Sequence, residues 1–63
     1  MRKILISSEM GNFVVSLSQH AYDRLLERAW KTGYTVAGLI GIIARETGIH
    51  PVTEKDILDY LNS

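Results

Sequence analysis

The sequence predicts an α+β domain in which an N-terminal short strand or β-hairpin is followed by two to three helices. Three observations support this class. Two β-branched apolar segments lie near the N-terminus, an amphipathic repeat ends at a glycine, and a second helical segment is apolar on nearly every side. The 63 residues are expected to form a single domain, 1–63, and a domain of this size hides only about 60% of its unfolded surface. The chain has no cysteine for a disulfide, so association of two copies is the expected means of stabilisation.

The two N-terminal segments are expected to form strands at about 3–7 and 12–17, joined by a loop of about four or five residues. Because successive side chains of a strand point to opposite faces, the second strand has one apolar face suited to a core. That face consists of Phe13, Val15 and Leu17. The other face presents Asn12, Val14 and Ser16.

The first helix is expected at about 19–32. Ser18 is a good N-cap because its hydroxyl can accept hydrogen bonds from unpaired amides of the first turn, and Gly33 supplies a left-handed end. An apolar stripe recurs at helical spacing and is expected to face the core, with both of its large aromatic residues buried. The stripe consists of Tyr22, Leu25, Leu26, Ala29 and Trp30.

The second helix is expected at about 36–47, capped by Thr35 and ended by Gly48. It shows no polar side before Arg45, and a helix that is apolar all round is a buried one. Its two internal glycines, Gly38 and Gly41, each cost about 1 kcal/mol relative to alanine, which indicates close approach of another backbone. We expect this helix to lie across its own copy, because so small a chain is not expected to cover it alone.

A short third helix is expected at about 54–62, with Thr53 as its cap and Pro51 preventing any continuation of the second helix. Acidic residues in its first turn are favoured by the helix dipole. Tyr60 is expected to help anchor this helix to the body of the domain.

The net charge does not favour binding to nucleic acid through overall electrostatic attraction, because seven positive residues balance seven negative ones. The strand and first-helix regions are slightly basic, and the C-terminal tail carries a net charge of −2 from Lys55 against three carboxylates. Arg2 and Lys3 precede an apolar run too short for a signal peptide, and the 36–44 run is about half a membrane span. A cytoplasmic protein without a membrane partner is expected.

The order strand, cap, helix, glycine, polar turn and helix resembles the ribbon-helix-helix DNA-binding superfamily. The matching positions are Leu17, Ser18, Gly33 and Thr35, within a segment, Phe13–Ala44, that covers about half the chain. In that superfamily the strands of two subunits pair antiparallel and enter the major groove, and the second helices cross in the dimer core. The resemblance implies an intertwined homodimer that binds double-stranded DNA as a transcriptional regulator.

The resemblance also implies a DNA-binding site in two parts. Base edges would be read by the outward strand residues, Asn12, Val14 and Ser16. A phosphate would be held by the backbone amides around Tyr34, Thr35 and Val36. Arg2 and Lys3 would add contacts to the DNA backbone.

Three features depart from that pattern and favour an alternative. The outward strand face has no Arg or Lys, the net charge is zero, and the first strand is able to pair with the second within one chain. Such pairing would widen the sheet of a dimer to four strands, more than a groove of about 12 Å comfortably admits. The alternative is a small dimeric protein-interaction module, an adaptor, antitoxin or inhibitor, without DNA binding.

The sequence gives little indication of a second DNA-binding motif, a metal site or a catalytic site. A helix-turn-helix between about 42 and 58 would present Glu54, Asp56 and Asp59 to a polyanion, which repulsion disfavours. His20 and His50 are far apart with no metal-ligand spacing, and no nucleophile or phosphate-loop motif is present. The expectation is therefore a non-enzymatic protein with no metal and no cofactor.

Overall fold

Two antiparallel strands begin the chain and three helices follow them. The computed structural model describes all residues, 1–63. Its elements are β1 (Arg2–Ser8), β2 (Gly11–Leu17), α1 (Gln19–Thr32), α2 (Val36–Thr47) and α3 (Glu54–Asn62). The expected α+β class, a hairpin followed by helices, is confirmed.

The first strand pairs with the second inside one chain, in a register that runs from Arg2 opposite Leu17 to Ser8 opposite Gly11. Only two residues, at 9 and 10, connect the strands, so the expected loop of four or five residues is wrong. The turn is tight because Gly11 adopts a left-handed φ of 119°, which side chains disfavour. The Ser8 hydroxyl also donates to the Gly11 carbonyl at 2.6 Å.

The three helices cover one face of this two-stranded sheet. That face contributes four buried side chains, Ile6, Phe13, Val15 and Leu17, and the apolar face expected for the second strand is confirmed. The helices and the loop before α3 supply the rest of the core. These residues are Ala21, Leu25, Ala29, Leu39, Ile40, Ile43, Ala44, Val52, Ile57 and Leu61.

Helix α1 begins and ends at its predicted caps, but its buried side is narrower than predicted. The Ser18 hydroxyl accepts from the Ala21 amide, and Gly33 ends the helix with φ of 81°. Burial of Leu26 and Trp30 was predicted and is wrong, since both are exposed. The buried arc centres on Leu25, and Trp30 lies about 140° around the helix from it at 100° per residue. Tyr22 is half-buried.

Helix α2 is covered largely by its own chain. The helix packs against β1, α1 and α3, and its most buried stripe needs no second copy to cover it. This stripe consists of Leu39, Ile40, Ile43 and Ala44. The expectation that so small a chain would not cover this helix alone is therefore wrong for the stripe, because the hairpin and α3 together supply the missing surface. The rest of the helix is covered less fully, since Val36, Ala37 and Ile42 are half-buried. A Cβ at Gly41 would lie 3.9 Å from the Ser7 carbonyl oxygen, so the nearby backbone is that of β1. The homodimer itself stays a prediction.

Helix α3 is joined to α1 at its beginning. The Ser18 amide donates to the Glu54 carboxylate at 2.7 Å, a contact that normally comes from the third residue of the same helix. Hydrogen bonds from Ser18 lower the pKa of Glu54. The Thr53–Asp56 capping box fixes the same end, and its hydrogen bonds lower the pKa of Asp56.

The other end of α3 is joined to α1 and α2. Arg28 donates to the Leu61 carbonyl at 3.3 Å. The Tyr60 hydroxyl donates to Glu46, so the predicted anchoring role of Tyr60 is confirmed. That hydrogen bond raises the pKa of Tyr60. None of the three helices combines the length and apolar character that a bilayer crossing requires.

Candidate interaction surface

The hairpin presents six side chains to solvent on the face away from the helices. We call this surface the outer face. The strand register places its members opposite one another as Lys3–Ser16, Leu5–Val14 and Ser7–Asn12. The alternation that predicted exposure of the second-strand residues is confirmed, because all three of them are exposed.

The centre of the outer face is apolar. Leu5 is 66% exposed and Val14 is 57% exposed, and the two lie directly opposite each other. Facing pairs of this kind bring their Cβ atoms to about 4.5–5.5 Å, so two branched aliphatic side chains form one continuous apolar area. Exposed apolar area rimmed by polar residues is typical of a protein-binding surface.

The polar end of the outer face is internally hydrogen-bonded. The Ser7 hydroxyl donates to Asn12 Oδ1 at 3.1 Å. A bidentate contact from asparagine to adenine needs both the amide oxygen and the amide nitrogen. Asn12 Oδ1, the atom that would accept a hydrogen bond from adenine, therefore already accepts one within the hairpin.

Positive charge on the outer face is limited to Lys3. Arg2, its neighbour in sequence, is directed at α1, where its guanidinium lies 4.3 Å from the centre of the Tyr22 ring. Such a cation–π contact is worth about 0.5–1 kcal/mol at an exposed site. Of the two cations predicted to contact DNA phosphates, only Lys3 therefore points outward with the predicted reading residues.

The second predicted part of the site lies in the turn between α1 and α2. Tyr34 and Thr35 are exposed and Val36 is half-buried. The Tyr34 amide donates to the Ala29 carbonyl at 3.1 Å, as part of the end of α1. The Thr35 hydroxyl accepts from the Gly38 amide at 3.0 Å. One of the three amides expected to hold a phosphate is therefore already used.

The histidines lie in separate places. His50 is exposed and packs its ring edge-on against Phe13, with ring centres 5.0 Å apart. His20 is exposed on α1. No group of three or more His, Asp or Glu side chains converges to form a metal-binding cluster.

A further exposed apolar surface was missed by the sequence reasoning. Leu26 is 45% exposed and Trp30 is 87% exposed, one turn apart on α1. The sequence feature that indicates this exposed surface is a pair of alanines, Ala21 and Ala29, one turn to either side of Leu25. Small residues beside a leucine mark the side of a helix that approaches a neighbour closely, which leaves the larger residues outside.

The chain matches no family model, no curated protein and no solved structure with which it was compared. The class of function is therefore inferred from the chain's own residues: the outer face of the hairpin, the turn before α2 and the exposed side of α1.

Proposed function

We propose that this chain is a small dimeric protein-interaction module, an adaptor, antitoxin or inhibitor, that acts in the cytoplasm without DNA binding or catalysis. The observation that carries the proposal is the pairing of β1 with β2 inside one chain. This pairing turns the N-terminal region into a self-contained hairpin, whose outer face has an apolar centre.

Geometry disfavours insertion of a dimeric sheet into DNA. If β2 paired with β2 of a second copy, the sheet would have four strands, because β1 already occupies the other edge. With about 4.8 Å between strands, the outer strands would lie about 14 Å apart. The major groove is about 12 Å wide and admits a two-stranded ribbon.

Charge disfavours insertion of a single hairpin. One hairpin is narrow enough for the groove, but its outer face offers only Lys3 to phosphates. Each phosphate neutralised contributes about −0.9 to the slope of log affinity against log salt. One such contact per copy supports little affinity, whereas an apolar Leu5–Val14 centre suits a protein surface.

The outer face is the proposed binding surface for the partner protein. Its centre supplies the apolar contact, and its ends supply serine and asparagine groups for hydrogen bonds at the rim, as in protein interfaces generally. The unpaired edges of the two strands add backbone donors and acceptors with which an extended segment of a partner can pair.

The first experiment separates the module from a DNA-binding protein. Purified protein is passed over heparin and tested by gel shift with mixed-sequence duplex DNA at about 50 mM salt, where phosphate contacts act strongly. The module is expected to show no retention and no shift. Retention that falls steeply with added salt would contradict the proposal and would favour the DNA-binding alternative. That alternative keeps one supporting observation, the exposure of Asn12, Val14 and Ser16 on one face.

The second experiment looks for the partner directly. A photo-crosslinking side chain is placed at Val14 and, as a matched control, at Lys55, which is exposed on α3. In cells that express the chain, position 14 is expected to give protein adducts that survive nuclease treatment and that position 55 does not give. Adducts to nucleic acid from position 14 would contradict the proposal.

A further inference from the structure

The exposed side of α1 forms a second apolar surface, separate from the outer face. Leu26 and Trp30 are its apolar members, and with Asp23, Glu27 and Lys31 they line an open depression of about 370 Å³. We call these five residues the α1 patch. Tryptophan is among the residues most enriched where binding energy concentrates in interfaces. Trp30 is the chain's only tryptophan, and at 87% exposure it contributes almost nothing to the core.

We propose that the α1 patch binds the same patch on a second copy, with the two α1 helices antiparallel about a two-fold axis. This assembly rests on the dimeric state in the proposed function and gives it a location. The apolar stripe of α2 is already buried inside one chain, so it is not free to form the dimer core. Among the helices, α1 alone carries large apolar side chains that are exposed, Leu26 and Trp30, while Val36 and Ile42 of α2 are half-buried.

The patch is complementary to itself in shape. Leu26 lies two residues before position 28 of the helix, and Trp30 lies two residues after it. When an antiparallel copy is centred on position 28, each Trp30 therefore lies over Leu26 of the other copy. A two-fold interface requires that residue i meet residue j while j meets i, and this pairing satisfies that condition.

The charges of the patch select the antiparallel direction. With about 1.5 Å of rise per residue, Asp23 lies about 7.5 Å to one side of the centre and Lys31 about 4.5 Å to the other. In the antiparallel pair, Asp23 and Lys31 of the second copy are then about 3 Å apart along the axis, within reach of an ion pair. The same geometry sets the two Glu27 side chains about 3 Å apart along the axis, a like-charge contact. Lys31 Nζ, which lies 3.2 Å from Glu27 Oε1 of its own chain, supplies the positive charge that offsets it. A parallel pair in register would instead set Asp23 beside Asp23 and Lys31 beside Lys31.

The size of the patch determines how strong the dimer is. A helix of 14 residues is about 21 Å long, so two such faces bury less than the roughly 800 Å² per partner of a standard interface. The dimer is accordingly a reversible one. Its partner-binding outer face stays free, because that face lies on the hairpin and takes no part in the α1 contact.

The first test measures self-association by sedimentation equilibrium from low micromolar to near-millimolar protein. Trp30 emission is recorded over the same range, since burial of this side chain shifts its emission to the blue. Trp30→Ala is expected to weaken association at least about tenfold. Ile49→Ala, at an exposed apolar residue outside both the outer face and the α1 patch, is the matched control and is expected to leave association unchanged. Circular dichroism checks that each variant is folded.

The second test addresses the antiparallel register. Asp23→Lys and Lys31→Asp should each be monomeric alone, because each sets like charges together across the axis. When the two variants are mixed, the new Lys at 23 of one meets the new Asp at 31 of the other, and the second pair joins the unchanged Lys31 to the unchanged Asp23. Both pairs are then opposite in charge, so the mixture should form a dimer. Failure of the mixture to associate beyond either variant alone would overturn the antiparallel register.

Other results would overturn the α1 dimer itself. A wild-type chain that stays monomeric at every concentration would exclude it together with the dimeric state of the proposed module. A Trp30→Ala variant that associates as well as wild type would exclude the α1 contact alone. Neither result bears on DNA retention, which is read in a separate assay. A failure of the α1 dimer can therefore be distinguished from a protein that binds DNA.

Discussion

Substitution of Ile43 by valine tests whether one chain buries the second helix. Ile43 is fully buried on α2 in contact with the chain's own residues. Removal of one methylene there loses about 0.8 kcal/mol of transfer free energy. The free energy of unfolding is expected to fall by about 0.5–1.5 kcal/mol, depending on how far the surrounding side chains close the space. For a domain of 63 residues the whole free energy of unfolding is about 3–9 kcal/mol, so the change is measurable without unfolding the protein.

The assay is urea unfolding followed by far-ultraviolet circular dichroism. Tryptophan fluorescence is a poor probe here, because Trp30 is exposed in the folded chain. Ile49→Val is the matched control; this isoleucine lies outside the core, 38% exposed, and its loss of a methylene should cost less than about 0.5 kcal/mol. The Trp30→Ala protein, which lacks the main α1 contact between copies, is also measured at two concentrations about tenfold apart.

Two results would refute the reasoning. Equal effects of the two substitutions would show that Ile43 is not in a tightly packed core. A midpoint for the Trp30→Ala protein that rises strongly with protein concentration would show that α2 is covered by a second chain, since stability that depends on association follows mass action.

Three further substitutions test separate parts of the structure by the same unfolding assay. Gly41→Ala should stabilise the chain by up to about 1 kcal/mol, because alanine has the higher helix propensity and the added Cβ lies at an ordinary contact distance of 3.9 Å from the Ser7 carbonyl oxygen. A loss of stability, or a loss of dimerisation, would instead indicate that the backbone of another chain packs against this glycine. Gly11→Ala should cost about 1–3 kcal/mol, because its φ of 119° is strained for any other residue, and an unchanged midpoint would contradict the hairpin turn. Glu54→Gln should flatten the acid side of the stability profile. The pKa of Glu54 is lowered by its hydrogen bonds with Ser18, so the stability it contributes is full above the ordinary carboxyl pKa and is lost as pH falls through the lowered one. A wild-type profile as flat as that of the variant would contradict this contact.

The caps and helices could be predicted from sequence because they depend on neighbours a few residues away. Ser18, Thr35 and Thr53 each accept a hydrogen bond from an amide three residues on, and Gly33 and Gly48 each end a helix in the left-handed conformation. The face that β2 buries was also predictable, because strand alternation is strictly local.

The packing of the helices could not be read in the same way. The apolar stripe on α1 is wide enough to permit several buried arcs. The positions of α2, α3 and β2 decide that Leu25 points inward while Trp30 does not. Cover for α2 was underestimated because it comes from elements distant in sequence, the hairpin and α3.

The candidate site was predictable only in part. Exposure of Asn12, Val14 and Ser16 followed from alternation. The residues that face them depend on the register of β1, which the two-residue turn at Glu9 and Met10 sets. The Leu5–Val14 centre and the Ser7–Asn12 hydrogen bond therefore needed the structure. The DNA role of the predicted residues stays a prediction.

The most direct test of the central claim is whether β1 and β2 pair inside one chain in solution. Isotope-filtered nuclear Overhauser measurements on a mixture of labelled and unlabelled protein distinguish contacts within a chain from contacts between chains. The pairing seen in the structure predicts methyl contacts between Leu5 and Val14 within the labelled chain, since the two lie directly opposite. Contacts that join β2 of a labelled chain to β2 of an unlabelled one, with the Leu5–Val14 contact absent, would contradict it and would support an intertwined ribbon.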